Sequence, residues 1–191
     1  MKKFLAMAAL AAALAAPSFA ATSTWNLDPM HSNAQFTVRH LGISNVQGEF
    51  TKVSGKVTLD DEDVTKSSVD VSIDVNSVNT RVSQRDDDLR SEGFFDVAKF
   101  PTITFKSTKI EKAGEGKLKV TGDLTIKGVT KSVVLDVTGP SPVDTHMGTR
   151  RGFAAMTHIN RTDFGVSKDP SPMIGDEIAI QIDCEMVLPK Q

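Results

Sequence analysis

Four histidines, one cysteine and several runs of carboxylates are the groups in this chain that could do chemistry. His31, His40, His146 and His158 form no i, i+4 helical pair and have no cysteine partner at zinc spacing, so no metal site is expected. No Gly-x-Ser-x-Gly elbow is present, and a lone Cys184 in an apolar setting makes a poor nucleophile. Nothing in this set demands an enzyme or a cofactor. Gly114-Glu115-Gly116-Lys117 lacks the spacer and the following Ser or Thr of a phosphate loop and reads as a hairpin turn. Asp60-Asp61-Glu62-Asp63 and Asp86-Asp87-Asp88 lack the every-other-residue spacing and central Gly of a calcium loop, so they read as solvated charge. Asn160-Arg161-Thr162 matches a glycosylation acceptor, a pattern short enough to arise often by chance. His40 stands apart because it continues the apolar face of Phe36 and Val38. It reads either as a hydrogen-bonded core histidine or as a contact for the polar head of a ligand.

Period-two alternation supplies the elements that must position these groups, since one face of each strand then meets an interior and the other meets water. Ala34, Phe36, Val38 and His40 alternate with polar residues, as do Val69, Val71, Ile73 and Val75, and Ile178, Ile180, Ile182, Cys184 and Met186. Weaker alternation marks 53–59, 102–110, 117–126, 132–137 and 153–159, giving about eight strands. Hairpin signals at Ala113-Gly114-Glu115-Gly116 and Lys127-Gly128-Val129-Thr130 join neighbours. Alternation stops over 80–101, where Arg81 to Arg90 has the character of a short helix and Phe94-Phe95 follows. This is expected to be a helical excursion capping the sheet. Phe164 to Asp176, with Pro170, Pro172 and Gly175, is expected to be a long ordered loop. The fold class is all-β, a sandwich or an up-and-down barrel.

Residues 1–20 read as a cleaved signal peptide: Lys2 and Lys3, an Ala/Leu-rich stretch, then Pro17-Ser18-Phe19-Ala20. The apolar stretch is about a dozen residues, short of the roughly 20 of a membrane-spanning helix. The mature protein is therefore expected to be soluble, not membrane-embedded and exported, with one domain over 21–191. Losing Lys2 and Lys3 lowers the 22 basic residues to 20 against 24 acidic ones, a net charge of −4. That balance argues against nucleic acid as a partner. A single cysteine bound for an oxidising compartment allows no intrachain disulfide, and Cys184 reads as a buried, inert thiol.

Several segments in register resemble the YceI family of bacterial periplasmic, polyisoprenoid-binding proteins. They are Asp28-Pro29-Met30-His31-Ser32, Phe36-Thr37-Val38-Arg39-His40-Leu41, Gly48-Glu49-Phe50, Arg85-Asp86 with Leu89, and Phe94-Phe95-Asp96-Val97. Further on come Phe100-Pro101-Thr102-Ile103-Thr104-Phe105, residues 122–131 (Gly122 to Lys131), and Ile159-Asn160-Arg161-Thr162-Asp163-Phe164-Gly165. The resemblance implies a lipocalin-like extended antiparallel barrel, usually a homodimer, with an elongated cavity for a polyisoprenoid, an isoprenoid quinone or a similar long-chain amphiphile. Carriage, storage or envelope stress protection would follow. The residues expected to line such a cavity are Phe36, Val38, His40, Val71, Ile73, Phe94, Phe95, Phe105, Met156, Ile180 and Ile182, with no catalytic residue and no metal. Two rivals are an adaptor or chaperone-like envelope protein, marked by a large exposed apolar patch, and an enzyme acting on the lipid with His40 or His31 as general base.

Overall fold

The computed structural model describes residues 22–167 and 173–190. The expected signal peptide over 1–20 and part of the proline-containing stretch, 168–172, lie outside the described residues.

The alternating segments become strands β2 (Asn33–His40), β4 (Val53–Asp60), β5 (Ser68–Asp74), β7 (Thr102–Gly114), β8 (Lys117–Ile126), β9 (Val129–Thr138), β10 (Arg150–Asn160) and β11 (Ile174–Val187). Three further strands carry too little apolar alternation to be read from sequence: β1 (Thr22–Leu27), β3 (Ser44–Phe50) and the two-residue β6 (Val78–Asn79). All pairings between these strands are antiparallel. The order β1-β4-β5-β7-β8-β9-β10-β11 closes on itself when β11 meets β1 through Asn26↔Val187 and Leu27↔Met186. The result is a closed eight-strand barrel, the architecture implied by the family resemblance, where alternation alone left a sandwich open; its membership differs from the eight alternating segments. β1 belongs to the ring, whereas β2 pairs with the first part of β11, from Ile174↔His40 to Asp183↔Asn33. β3 then pairs with β2, and β6 with the end of β3. One long strand thus serves two successive partners, and the sheet widens at one end.

Turn chemistry fixes the registers. Lys127 and Gly128, with φ of 49° and 75°, form a two-residue turn that sets Ile126 opposite Val129, so the connection is two residues shorter than the sequence suggests. Val75, grouped by alternation with Val69 to Ile73, leaves the strand in a 3-10 turn (Val75–Ser77) and is 1% exposed. Helix α1 (Ser83–Arg90) falls where the helical excursion was expected. It is held by polar contacts: buried Asp86 accepts from the Thr80 backbone N at 2.8 Å and from its hydroxyl at 2.6 Å. Arg90 donates to the carbonyls of Asn76 and Val78. The Asp86 run is therefore only partly solvated charge. The stretch expected as a loop from Phe164 instead begins as the end of a 3-10 turn (Arg161–Phe164) and ends as strand from Ile174. Arg161 organises it, donating to the carbonyls of Val166, Ser167, Ile174 and Gly175.

Two clusters fill the interior. One packs Trp25, Leu27, Val57, Leu59 and Met186 where β1 closes the ring. The other runs from Phe50, Val75 and Val78 through Ile103 and Ile126 to Phe164. Among the described residues no helix is long and apolar enough to cross a membrane.

Candidate functional site: an apolar cavity inside the barrel

Between and along these clusters the barrel holds a cavity of about 230 Å³, far above the roughly 10–15 Å³ that one water needs. Its walls come from the inward positions of nearly every strand: Phe36 and Val38 on β2, Val71 and Ile73 on β5, Ile103 and Phe105 on β7, and Val120 and Leu124 on β8. Val133, Leu135 and Val137 on β9, with Ile178, Ile180 and Ile182 on β11, complete the ring. Leu89, Phe94 and Phe95 reach it from the helical excursion, and Phe164 and Val166 from the 3-10 turn and the residues after it. On β8 alone the lining runs from Leu118 to Ile126, about 26 Å along the strand and about 20 Å along a barrel axis tilted by some 40°.

Two glycines make room for the aromatic walls. A Cβ on Gly48 would lie 2.3 Å from the Phe36 ring, and one on Gly122 would lie 2.4 Å from the Phe105 ring. The tip of each ring therefore occupies the space that a larger residue at the glycine would fill. Phe50 links the excursion to the barrel, with its ring 5.7 Å from that of Phe36 and 5.7 Å, edge-on, from that of Phe95.

Polar chemistry is nearly absent from the walls. Gln35, Ser67, Thr157 and Arg161 are the lining residues with strongly polar side chains, and each is engaged elsewhere. Gln35 donates to Asn33, the Ser67 hydroxyl accepts from the Asp60 backbone N, and Thr157 donates to the Val134 carbonyl. Arg161 spends its guanidinium on the backbone carbonyls named above. Cys184 also lines the cavity, and burial pushes its thiol up to about 11. It is a neutral, inert group at physiological pH. Among the described residues the wall thus offers a guest mainly apolar surface, and its few polar side chains are bonded within the protein.

Of the expected lining residues, the structure brings together Phe36, Val38, Val71, Ile73, Phe94, Phe95, Phe105, Ile180 and Ile182. Met156 is a correction. It is 55% exposed on the outer face of β10, because Phe153, Ala155, Thr157 and Ile159 take the inward positions. Assigning Met156 inward shifts that strand by one residue, which exchanges its two faces. His40 is also outside the lining: it is half-buried at the strand end, paired with Ile174 and Ser44 just before the chain turns. The walls missed from sequence, chiefly on β8 and β9, carry the same alternation and could have been found by extending it.

His31 belongs to a separate polar cluster. Its Nδ1 lies 3.0 Å from Asp28 Oδ2 and 3.9 Å from Glu185 Oε2. Arg150 Nη1 donates to both carboxylates, at 2.5 and 3.1 Å. The guanidinium beside Asp28, with His31 and the Met30 backbone N, holds that carboxyl well below the usual carboxylate range. Asp28, His31 and Glu185 have donor types that suit a cation, but a guanidinium already fills that part. The cluster ties the β1–β2 corner to β10 and β11 and does not line the cavity.

Residues 25–186 match the model of the YceI-like domain. A UPF0312 protein of Shewanella denitrificans is 38% identical over 90% of this chain and 92% of its own length. Protein YceI of Salmonella arizonae is 37% identical over the whole of both chains. Among solved structures, Burkholderia cenocepacia BcnA superposes with a TM-score of 0.74 at 29% identity, covering 83% of this chain and 98% of its own. The Campylobacter jejuni YceI protein gives 0.71 at 35% identity, covering 80% and 90%. A polyisoprenoid binding domain from Saccharophagus degradans shares the fold at 17% identity, with a TM-score of 0.65 over 88% of this chain and 100% of its own.

Proposed function

The chain belongs to the YceI-like domain family, and we propose that it is a non-enzymatic carrier of one long-chain lipid, an isoprenoid quinone or other polyisoprenoid, held in the barrel lumen. The observation that carries this is the cavity wall. It is long, apolar on nearly every strand, and its few polar groups are already bonded within the protein. Such a wall rejects polar solutes, whose lost hydrogen bonds to water nothing repays. It rewards a hydrocarbon chain by about 0.8 kcal/mol per buried methylene, before the costs of immobilising it. The polyisoprenoid binding domain of Saccharophagus degradans offers a precedent on the same fold. The signal-peptide pattern at residues 1–20 supports a periplasmic site of action, and the family resemblance supports a homodimer. A wall whose few polar side chains are bonded within the protein reads the chain of the lipid and leaves its head outside. Neither His31 nor His40 lines the lumen, which favours carriage over chemistry on the lipid.

Native mass spectrometry of protein purified from periplasm tests the reading. A retained lipid of several hundred daltons is expected. An empty protein that also takes up no added quinone would overturn it, and light scattering at micromolar concentration decides between dimer and monomer.

A further inference from the structure

We propose that the hairpin tip Leu41–Ile43, together with Met173, docks on a lipid bilayer and is where a chain passes between bilayer and cavity. The second half of this statement rests on the lipid-carrier reading above.

The tip continues the cavity wall. Leu41 donates its backbone N–H to the Met173 carbonyl at 2.8 Å, and His40 pairs with Ile174. Ile174 and Val38, the nearest inward positions on those two strands, both line the lumen. Beyond them three large apolar side chains stand in solvent: Leu41 at 49%, Ile43 at 75% and Met173 at 53% exposure. The turn itself is built against local preference. Leu41 and Gly42 have φ of 51° and 70°, with Ile43 N–H returning to the His40 carbonyl. Two successive positive φ values within this three-residue loop suit Asn and Gly, and a leucine at the first of them is disfavoured. A disfavoured, exposed leucine beside an exposed isoleucine makes sense if the turn is selected for what it touches.

A bilayer is the occupant that fits. A long apolar chain has almost no monomeric solubility in water, so a mouth that loads one must meet the phase that holds it. Arg39, exposed next to the tip and bonded to Asn45 at 3.1 Å, adds a cation that suits anionic headgroups. Asp176, on the facing strand, is engaged by the Thr162 backbone and hydroxyl.

The test is co-sedimentation of the mature chain with phosphatidylcholine vesicles containing about one third phosphatidylglycerol. It compares wild type with the double variant Leu41→Asn, Ile43→Ser. Asparagine is at home at positive φ, so thermal melting should hold steady. Vesicle partitioning should fall about tenfold or more. The control pair Met30→Ser, Met147→Ser changes residues at least as exposed, at 85% and 76%, near the other end of β11 beside the Asp28–Arg150 pair, and should partition as wild type. Uptake of a fluorescent quinone is then measured from vesicles and, separately, from detergent micelles. The tip variant should be slow from vesicles and normal from micelles. Wild type that ignores vesicles, or a tip variant that sediments and loads as well as wild type, would overturn the docking proposal. So would a control pair that loses as much, or a tip variant whose only change is in self-association or in contact with another protein. If wild type sediments but takes up no quinone from either source, the carrier reading falls while docking stands.

Discussion

Met186 and Ile180 occupy the same face of β11 and both line the cavity, yet Met186 has no exposed surface while Ile180 is partly exposed. Around Met186, the side chains of Trp25, Leu27, Val57 and Leu59 interlock where β1 completes the ring. Ile180 lies on the cavity wall outside that cluster, and the excursion over 80–101 adds Phe94 and Phe95 to the same wall. Both regions are written in the same alternating code. An inward apolar residue thus says which face of a strand meets the interior, and the facing strands decide whether that interior is packed or hollow.

The sharpest way to break this comparison is to truncate both residues. Met186→Ala should cost about 2–5 kcal/mol, because a close-packed site cannot collapse around the loss. For a domain of this size that lowers Tm by roughly 5–15 °C. Ile180→Ala should cost under about 1 kcal/mol, since its side chain already faces open space, while lipid retention falls. Equal costs in calorimetry would mean that the cavity is filled or collapsed in solution.

Cys184 lies between the two regions, on the wall yet 5% exposed. With its thiol pushed up to about 11, reaction with a thiol reagent near pH 8 should be about a hundredfold or more slower than for a free cysteine. Bound lipid should slow it further. Fast labelling would show that the closed region opens readily.

Asp28→Asn loosens the corner that holds β1 and β2 to β10 and β11. The loss should be on the order of 1 kcal/mol at neutral pH, a charge-assisted bond discounted for nearby solvent. Because the folded state depresses this carboxyl, its contribution is present above the unfolded value near 3.9 and is lost as pH falls below it. Melting curves of wild type and variant should therefore draw together progressively as pH falls below about 4. A gap that stays constant over that range would assign the effect to packing. The smallest change is expected from Met156→Ser, within about 0.5 kcal/mol of wild type in stability and with lipid retention unchanged. A retention defect there would put β10 in the other register.

Much of this architecture was legible because burial on one face imposes a period of two. Strands β2, β5 and β11 stand out in the chain, and nine of the eleven expected lining residues reach the cavity. Met156 failed because β10 carries small or polar residues, Ala155 and Thr157, at inward positions, so a bulky neighbour on the outer face looked like the interior. His40 failed because the last residue of a strand can keep the right parity and still lie beyond the lumen. β1 and β3 were invisible for a related reason: Trp25 and Leu27 are bounded by Thr22 to Thr24, and Ser44 to Phe50 is mostly polar. The Arg150–Asp28–Glu185 cluster joins residues from distant parts of the chain. Its only local trace was the Asp28-Pro29-Met30-His31-Ser32 segment.

The double partnership of β11 also sets an order of events in folding. β10, β2 and β1 all pair with it, so the ring closes only when this last strand joins the first. Until residues 174–187 arrive, the sheet has two free edges and no lumen. The loop that the final step closes spans nearly the whole domain, so assembly is dominated by non-local contacts and should be slow, in the millisecond-to-second range typical of such topologies. During that interval the apolar faces that later line the lumen are exposed to solvent, so the open sheet is the stage at which this chain is most prone to aggregate.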